Sequence, residues 1–304
     1  MEPAPRLAAA LGLGADDLVI KRDDLIGLGG GGNKVRKLEH TLGAVLRSGA
    51  RAVVTSGAPQ SNHARLTAAA AARLGLQVVL VLEGEPPEEF GGNLLLDGLF
   101  GARIVWAGPV GPDDLADRVE DETHALREQG TATEVIPFGG SSVVGARGYV
   151  EAGVELLEQV PDLATVVVAV GSGGTMAGLV HALGTERVLG VDTGAVQDAQ
   201  TRVHDLAVGL AREEGSPGPG PLRIRHEEVG AGYAVLTAAV HQAMSLVART
   251  EGVVLDPVYT GRAAAGLVAA VAAGEIAAGR RTVLLHSGGL PGLFGHPDAG
   301  SLLV

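Results

Sequence analysis

The sequence predicts an α/β protein built on parallel sheets, and three observations carry that prediction. Short β-branched runs alternate with longer Ala- and Leu-rich stretches, the rhythm of repeated βα units. Most of the β-branched runs are apolar on both faces, as strands are when helices cover each side of a sheet. Hydrophobic residues make up 46% of the chain and charged residues 19%, enough apolar material for a large core. Taken in order, strands are predicted over residues 52–55, 77–82, 103–106, 165–170, 188–191 and 282–286. Helices are predicted over 62–74, 113–129, 149–160, 235–250 and 261–273, the second with the acidic first turn Asp113-Asp114. Two stretches break the rhythm: GSPGPGP at 215–221, read as a surface loop, and four glycines at 29–32. With 304 residues there is room for two α/β lobes or one large domain.

Charge and composition narrow the function. A formal net charge of −12 disfavours nucleic acid and anionic membrane surfaces as partners, while allowing a local cationic pocket. With no cysteine in the chain, disulfides, zinc thiolates and cysteine nucleophiles are excluded. The histidines form neither HExxH nor a close His-X-His, so no metal is expected. No stretch approaches the roughly 20 uninterrupted apolar residues that span a bilayer. The opening residues lack the basic start and long apolar run of a secretion signal, so a cytoplasmic location is expected.

Five stretches could carry chemistry. The strand at 165–170 runs into Gly171, Ser172, Gly173, Gly174 and Thr175 and then into an apolar helix. Glycines let backbone N–H groups approach an anion, and the helix start adds unpaired donors, so a phosphate cup is expected here. An ordinary tight turn would use the same glycines. The spacing is neither GxGxxG nor GK[ST], so a nucleotide is not indicated. Lys34 follows four glycines and an asparagine at a predicted helix start; a desolvated lysine there could become a nucleophilic amine. On that segment alone, a solvated basic face of Lys34, Arg36 and Lys37 is the better account. In TSGAPQSNHAR, Ser61, Asn62 and His63 open a helix whose N–H groups could receive a carboxylate, or could simply cap it. Tyr259 in LDPVYTGR and Tyr233 in VGAGYAV could stack on a ring or move protons, though a lone tyrosine is more often packing. Ser287, in HSGG, projects at the carboxyl edge of a strand, where open sheets bind ligands.

Together these stretches resemble the fold-type-II pyridoxal-phosphate enzymes of the D-cysteine desulfhydrase and 1-aminocyclopropane-1-carboxylate (ACC) deaminase group. The motifs are KRDDLIG (21–27), GGNKVRKLE (31–39), SGAPQSNHAR (56–65), FGGSSVVGARGYVEAGVEL (138–156), GSGGTMAGL (171–179), LDPVYTGRAAAGL (255–267) and HSGGLPGLF (286–294). They stand in the family's order and cover nearly the whole chain. The resemblance implies pyridoxal 5'-phosphate as cofactor and a tryptophan-synthase-beta-like architecture of two open parallel-sheet domains. It places the large domain at 1–37 and 148–304 and the small one at 38–147, with the site between them and a homodimer as the assembly. Lys34 would bind the cofactor covalently and then move the Cα proton. The loop from Gly171 to Thr175 would hold the phosphate, Asn62 the ring hydroxyl, and Ser287 would face the pyridine nitrogen. Ser61, Asn62 and His63 would receive the substrate carboxylate, with Tyr233 and Tyr259 on the substrate side.

A neutral hydroxyl at the ring nitrogen makes a weaker electron sink than a carboxylate would, which suits loss of a β-substituent soon after Cα deprotonation. ACC deaminases resemble DPVYEG, whereas this chain has Thr260. The implied reaction is D-cysteine to pyruvate, hydrogen sulfide and ammonia. ACC deamination, or a lyase or racemase acting on L-cysteate or serine, stays open, because side-chain selection rests on a few contacts of about 1–3 kcal/mol. A nucleotide-binding oxidoreductase using Asp192 explains fewer of the motifs, and a non-catalytic cofactor sensor would not need Lys34, Asn62, Tyr259 and Ser287 together. Three departures carry expectations. The short lead-in before KRDD should weaken a strand, the glycines at 29–32 should loosen or reshape the pocket, and Arg262 should lie on the surface.

Overall fold

A computed structural model describes residues 1–303. The chain runs β1 (Glu2–Pro3), α1 (Pro5–Ala10), β2 (Leu18–Arg22), α2 (Lys34–Arg47), β3 (Ala52–Gly57), α3 (Asn62–Leu74) and β4 (Gln77–Leu82). Next come α4 (Gly92–Leu99), β5 (Arg103–Trp106), α5 (Pro112–Glu128), β6 (Thr133–Val135), α6 (Val143–Gln159), β7 (Leu163–Val170) and α7 (Gly174–Leu183). The remainder is β8 (Val188–Asp192), α8 (Ala199–Glu214), β9 (Arg223–Arg225), α9 (Ala238–Glu251), α10 (Thr260–Ala272), β10 (Arg281–His286) and α11 (Leu290–Phe294).

The strands form two sheets. The larger has the order β1-β2-β10-β7-β8-β9, parallel except for β1, and the smaller has β5-β4-β3-β6, parallel throughout. Both sheets are covered on both faces, which is why their central strands are apolar on successive residues and not on alternate ones. In the larger sheet, Val167, Leu189 and Leu284 face α1, α9 and α10, while Val166, Val168 and Val283 face α6, α7 and α8. In the smaller, Val53 and Leu80 pack with Leu38, Leu42 and Leu66, and Val54 and Val79 pack with Leu115 and Val119.

The predicted strands are all present, with four more at residues 2–3, 18–22, 133–135 and 223–225. β2 carries Lys21 and Arg22 at its end, so its sequence does not look like a buried strand. The charges are taken up by partners: Lys21 bonds Glu155, and Arg22 bonds Glu2 and Asp24. β2 pairs with β10 over five positions and receives β1 on its other side. α6 starts at Val143, not at 149, with Ser142 as a cap accepting from the Gly145 N–H. The glycines within it serve close packing. A Cβ on Gly148 would overlap the carbonyl oxygen of Arg36, so α2 and α6 approach backbone to backbone there. α6 lies against both α2 and α7, which fixes the helix opening at Lys34 relative to the helix opening at Gly174.

Arg262 corrects a further expectation. It is wholly buried at 0% exposure in the first turn of α10, because backbone carbonyls, which leave no mark in a sequence, supply its partners.

Gly148→Ala is expected to lower stability by about 1–3 kcal/mol through overpacking, read as a fall in Tm. Gly98→Ala, at an exposed position of α4 with open space around it, is expected to raise stability by about 0.5–1 kcal/mol; equal melting shifts would show that the α2–α6 approach is not tight.

Candidate active site

The carboxyl ends of β3, β7 and β10 and the start of α2 meet in one cavity between the two sheets, as open α/β sheets dictate. Lys34, Ser61, Asn62, His63, Gly171, Ser172, Gly173, Thr175, Tyr233, Tyr259 and Ser287 all line it. Of the residues expected at the site only Gly174 does not; its N–H is turned to Ser141 Oγ at 3.1 Å.

Lys34 is the first residue of α2, and its Nζ bonds Asn33 Oδ1 at 3.0 Å. Burial lowers its pKa to about 8, the cation of Arg65 adds to the lowering, and Asp256 opposes it. The amine lies 5.8 Å from the centre of the Tyr259 ring. The glycines before it form a bonded turn. Arg65 Nη1 donates to the carbonyl oxygens of Gly29 (2.5 Å) and Gly31 (2.9 Å), and its Nε donates to Asn93 Oδ1 at 3.0 Å. Gly31 has φ +75°, and a Cβ there would overlap the Asp24 carbonyl oxygen, so this turn is tight and only glycine suits it.

The glycine loop forms the turn between β7 and α7 and brings a further residue to the cavity. The side chain of Asn33 donates to Thr175 Oγ1 at 2.9 Å, and Ser172 Oγ lies 2.7 Å from Ser141 Oγ. Lys37, one helical turn after Lys34, points at the same place: its Nζ donates to Ser141 Oγ at 2.9 Å and to the Gly139 carbonyl at 3.3 Å. At 1% exposure Lys37 is no part of a solvated face. Burial pushes its pKa well below the lysine range, and Lys34 and Arg202 push it the same way. Among the described residues it has no carboxylate partner. A buried lysine beside the 171–175 loop, bonded only to a hydroxyl and a carbonyl, is what an anionic phosphate would complete. The i, i+3 spacing from Lys34 was the available signal.

At the start of α3, Ser61 Oγ caps the helix by accepting from the Ala64 N–H at 3.1 Å. Asn62 Oδ1 accepts from Asn93 Nδ2 at 3.0 Å and Arg65 Nη2 at 3.3 Å, which fixes the amide with its NH2 end available. The His63 ring is committed elsewhere. Thr55 spends its hydroxyl proton on the Ile136 carbonyl (2.7 Å), so His63 Nε2 must donate to Thr55 Oγ1 at 2.8 Å. Burial, with Lys34 and Lys37 close by, keeps this imidazole neutral. Its backbone N–H, not its ring, is the group left for a ligand.

On the opposite wall, the hydroxyls of Tyr233 and Tyr259 are 2.7 Å apart, with the rings edge to face. Burial pushes Tyr259 well above the ordinary tyrosine range and Tyr233 upward. Asp256 shapes the turn before α10 by accepting from the N–H groups of Val258, Tyr259 and Thr260. Thr260 Oγ1 donates back to Asp256 Oδ1 at 2.6 Å. Ser287 faces the cavity while its carbonyl accepts from the Asn33 N–H at 2.9 Å.

Comparison with known proteins agrees with this geometry. The family model described as "Pyridoxal-phosphate dependent enzyme" matches residues 1–288. A D-cysteine desulfhydrase of Salmonella choleraesuis (strain SC-B67) is 39% identical over 316 residues, covering 98% of this chain and 93% of the relative. A Pyrococcus furiosus protein, provisionally named a 1-aminocyclopropane-1-carboxylate deaminase, is 39% identical over 292 residues, covering 93% of this chain and 87% of its own. The crystal structure of an ACC deaminase homologue superimposes with a TM-score of 0.91 at 37% identity, covering 99% of this chain and 92% of that one. The two-sheet, fold-type-II architecture expected from the motifs is the one observed. From the strand before Lys34 to the turn at Ser287, the cavity is built from the matched segment, and the chain belongs to the pyridoxal-phosphate dependent enzymes.

Proposed function

We propose that this chain catalyses β-elimination from a small amino acid, with D-cysteine as the best substrate, giving pyruvate, hydrogen sulfide and ammonia with uptake of one water. The observation that carries this reading is the lining of the inner cavity: among the described residues it contains hydroxyls, amides and lysines but no carboxylate. Thr260 is turned to Asp256, and the neutral hydroxyl of Ser287 is the side chain assigned to the pyridine nitrogen. The same motifs stand at equal identity to relatives named for ACC deamination, so that activity is the second reading. The residue at 260 favours elimination.

Bound pyridoxal 5'-phosphate supplies an electron-withdrawing ring in conjugation with the substrate Cα. The chain supplies the rest. Lys37 and the N–H groups of Gly171, Ser172, Gly173 and Thr175 would hold the phosphate, with Ser172 and Thr175 as hydroxyl donors. The Asn62 amide donates to the ring hydroxyl. The Ser61 hydroxyl and the backbone N–H groups of Asn62 and His63 take the substrate carboxylate at the start of α3. Lys34 would anchor the cofactor, and its amine would take the proton from the substrate Cα. Its lowered pKa leaves a useful fraction of neutral amine near pH 8. Tyr259, supported by Tyr233, gives a proton to the departing sulfur. We read residues 1–37 with 148–304 and residues 38–147 as the two lobes, and a cytoplasmic homodimer as the working form. No helix is long and apolar enough to cross a membrane among the described residues.

Three outcomes test this reading. Cofactor-loaded protein given D-cysteine is expected to release sulfide and pyruvate in equal amounts, with no turnover in Lys34→Ala; release of 2-oxobutanoate from ACC at a higher kcat/KM would favour the second reading. Removing one charge-assisted bond from a phosphate costs about 1.5–3 kcal/mol. Lys37→Gln should therefore bind pyridoxal 5'-phosphate roughly 10- to 100-fold more weakly, with no matching loss for pyridoxal. The reactive form of Lys34 is the neutral amine, present above its pKa and lost below it. Capture of the cofactor by stripped protein is accordingly expected to rise with pH about a midpoint near 8, and a midpoint above 10 would contradict the desolvated site.

A further inference from the structure

Arg262 has no role in the chemistry above, yet it is one of the two largest wholly buried side chains among the described residues. Its Nη1 donates to the carbonyl oxygens of Thr193 (3.0 Å) and Val229 (2.9 Å), and its Nη2 to those of Gly232 and Val235 (2.8 Å each). Among the described residues it forms no ion pair, and its Nε has no partner. A cation held by carbonyl dipoles alone is a costly way to fill space, so the directions of those four bonds are what it contributes.

Three of the four carbonyls belong to the segment 229–235, which is the segment that carries Tyr233, and one of them, that of Gly232, immediately precedes that residue. The segment is irregular and bent: Gly230 and Gly232 have φ +62° and +145°, and Ala234, at +59°, is the one residue other than glycine with positive φ among those described. Such a backbone holds its shape only when its surroundings fix it. A second tether comes from His296. Its Nδ1 accepts from the Asp298 N–H at 3.1 Å, so its Nε2 carries the proton and donates to the Ala234 carbonyl at 2.8 Å. Arg262 itself stands three residues after Tyr259 on α10. One guanidinium thus joins the helix start behind one tyrosine to the loop beneath the other.

We propose that Arg262, with His296 as second tether, clamps the 229–235 loop so that the hydroxyl of Tyr233 meets that of Tyr259, and is thereby a positioning residue for proton delivery to the leaving group. The last clause rests on the role given to the tyrosine pair above; the clamp does not.

The test uses the three tyrosines of the chain as reporters. In cofactor-loaded enzyme labelled with 3-fluorotyrosine, fluorine NMR gives three signals, assigned by Tyr→Phe variants. Tyr149 is the internal control, since its hydroxyl is bound to Asp23 at 2.6 Å, away from the clamp. Arg262→Gln is expected to move the signals of Tyr233 and Tyr259 and leave that of Tyr149 in place. The turnover number for D-cysteine should fall about 10- to 100-fold with KM little changed, and Arg262→Lys should recover part of both. Adding Tyr233→Phe to Arg262→Gln should cost nothing further. Unmoved tyrosine signals, or losses that multiply in the double variant, would overturn the proposal. If Arg262→Gln does not fold, His296→Leu should move the same two signals, and its failure to do so would overturn the clamp. Full turnover in Tyr233→Phe alone would count against the tyrosine pair as proton carrier, and the NMR pattern would still decide the clamp.

Discussion

Two lysines one helical turn apart, both withdrawn from water and neither hydrogen-bonded to a carboxylate among the described residues, are the constraint on which the rest of the structure depends. Lys34 and Lys37 repel each other across the first turn of α2, and burial presses both toward the neutral form. The chain answers with neutral acceptors, Asn33 Oδ1 for one and Ser141 Oγ with the Gly139 carbonyl for the other. These satisfy hydrogen bonds but not charge. In a protein of net charge −12 this is a deliberate concentration of the opposite sign, and a phosphate bound at the cup would neutralise it. Folding and cofactor binding are therefore coupled in the same direction, because a ligand that binds only the folded state stabilises it.

Around that constraint, a few side chains join the two sheets. Asn33 ties the α2 start to Thr175, and Arg65 reaches from α3 to the glycine turn. Ser141 joins Lys37, Ser172 and the Gly174 N–H. These bonds are between residues far apart in sequence, and each one fixes an element that lines the cavity. The resulting preorganisation does what catalysis requires, since groups held in place need not reorganise as charge develops.

Much of this was legible in the chain itself. β3, β4, β7 and β10 read as strands because β-branched residues on both faces have no other comfortable place, and the turns after them announced the site through glycine, serine and asparagine. What stayed hidden has physical reasons. β2 ends in charges that only distant partners neutralise. α6 begins inside a glycine-bearing segment whose helicity depends on the close neighbour at Arg36. Lys37 looked like one of three surface cations, and only burial separates it from them. Arg262 could not be read at all, for its partners are main-chain oxygens. His63 was placed correctly at the cavity, but the competition between its ring and Thr55 could not be seen without coordinates.

The larger sheet has a consequence for how the molecule is made. Its strand β10 lies between β2 and β7, so a segment near the end of the chain completes a layer begun within the first 22 residues. The smaller sheet draws only on residues 52–135 and can pair while the ribosome still holds the remainder. Lys34 emerges early but has no opposite wall until Tyr259 and Ser287 arrive. The lysine site is thus among the last features to be assembled, after the longest loop closures of the fold. Under the role proposed for Lys34, capture of the cofactor would follow these closures, and a nascent chain would have no finished pocket in which to hold a reactive aldehyde prematurely.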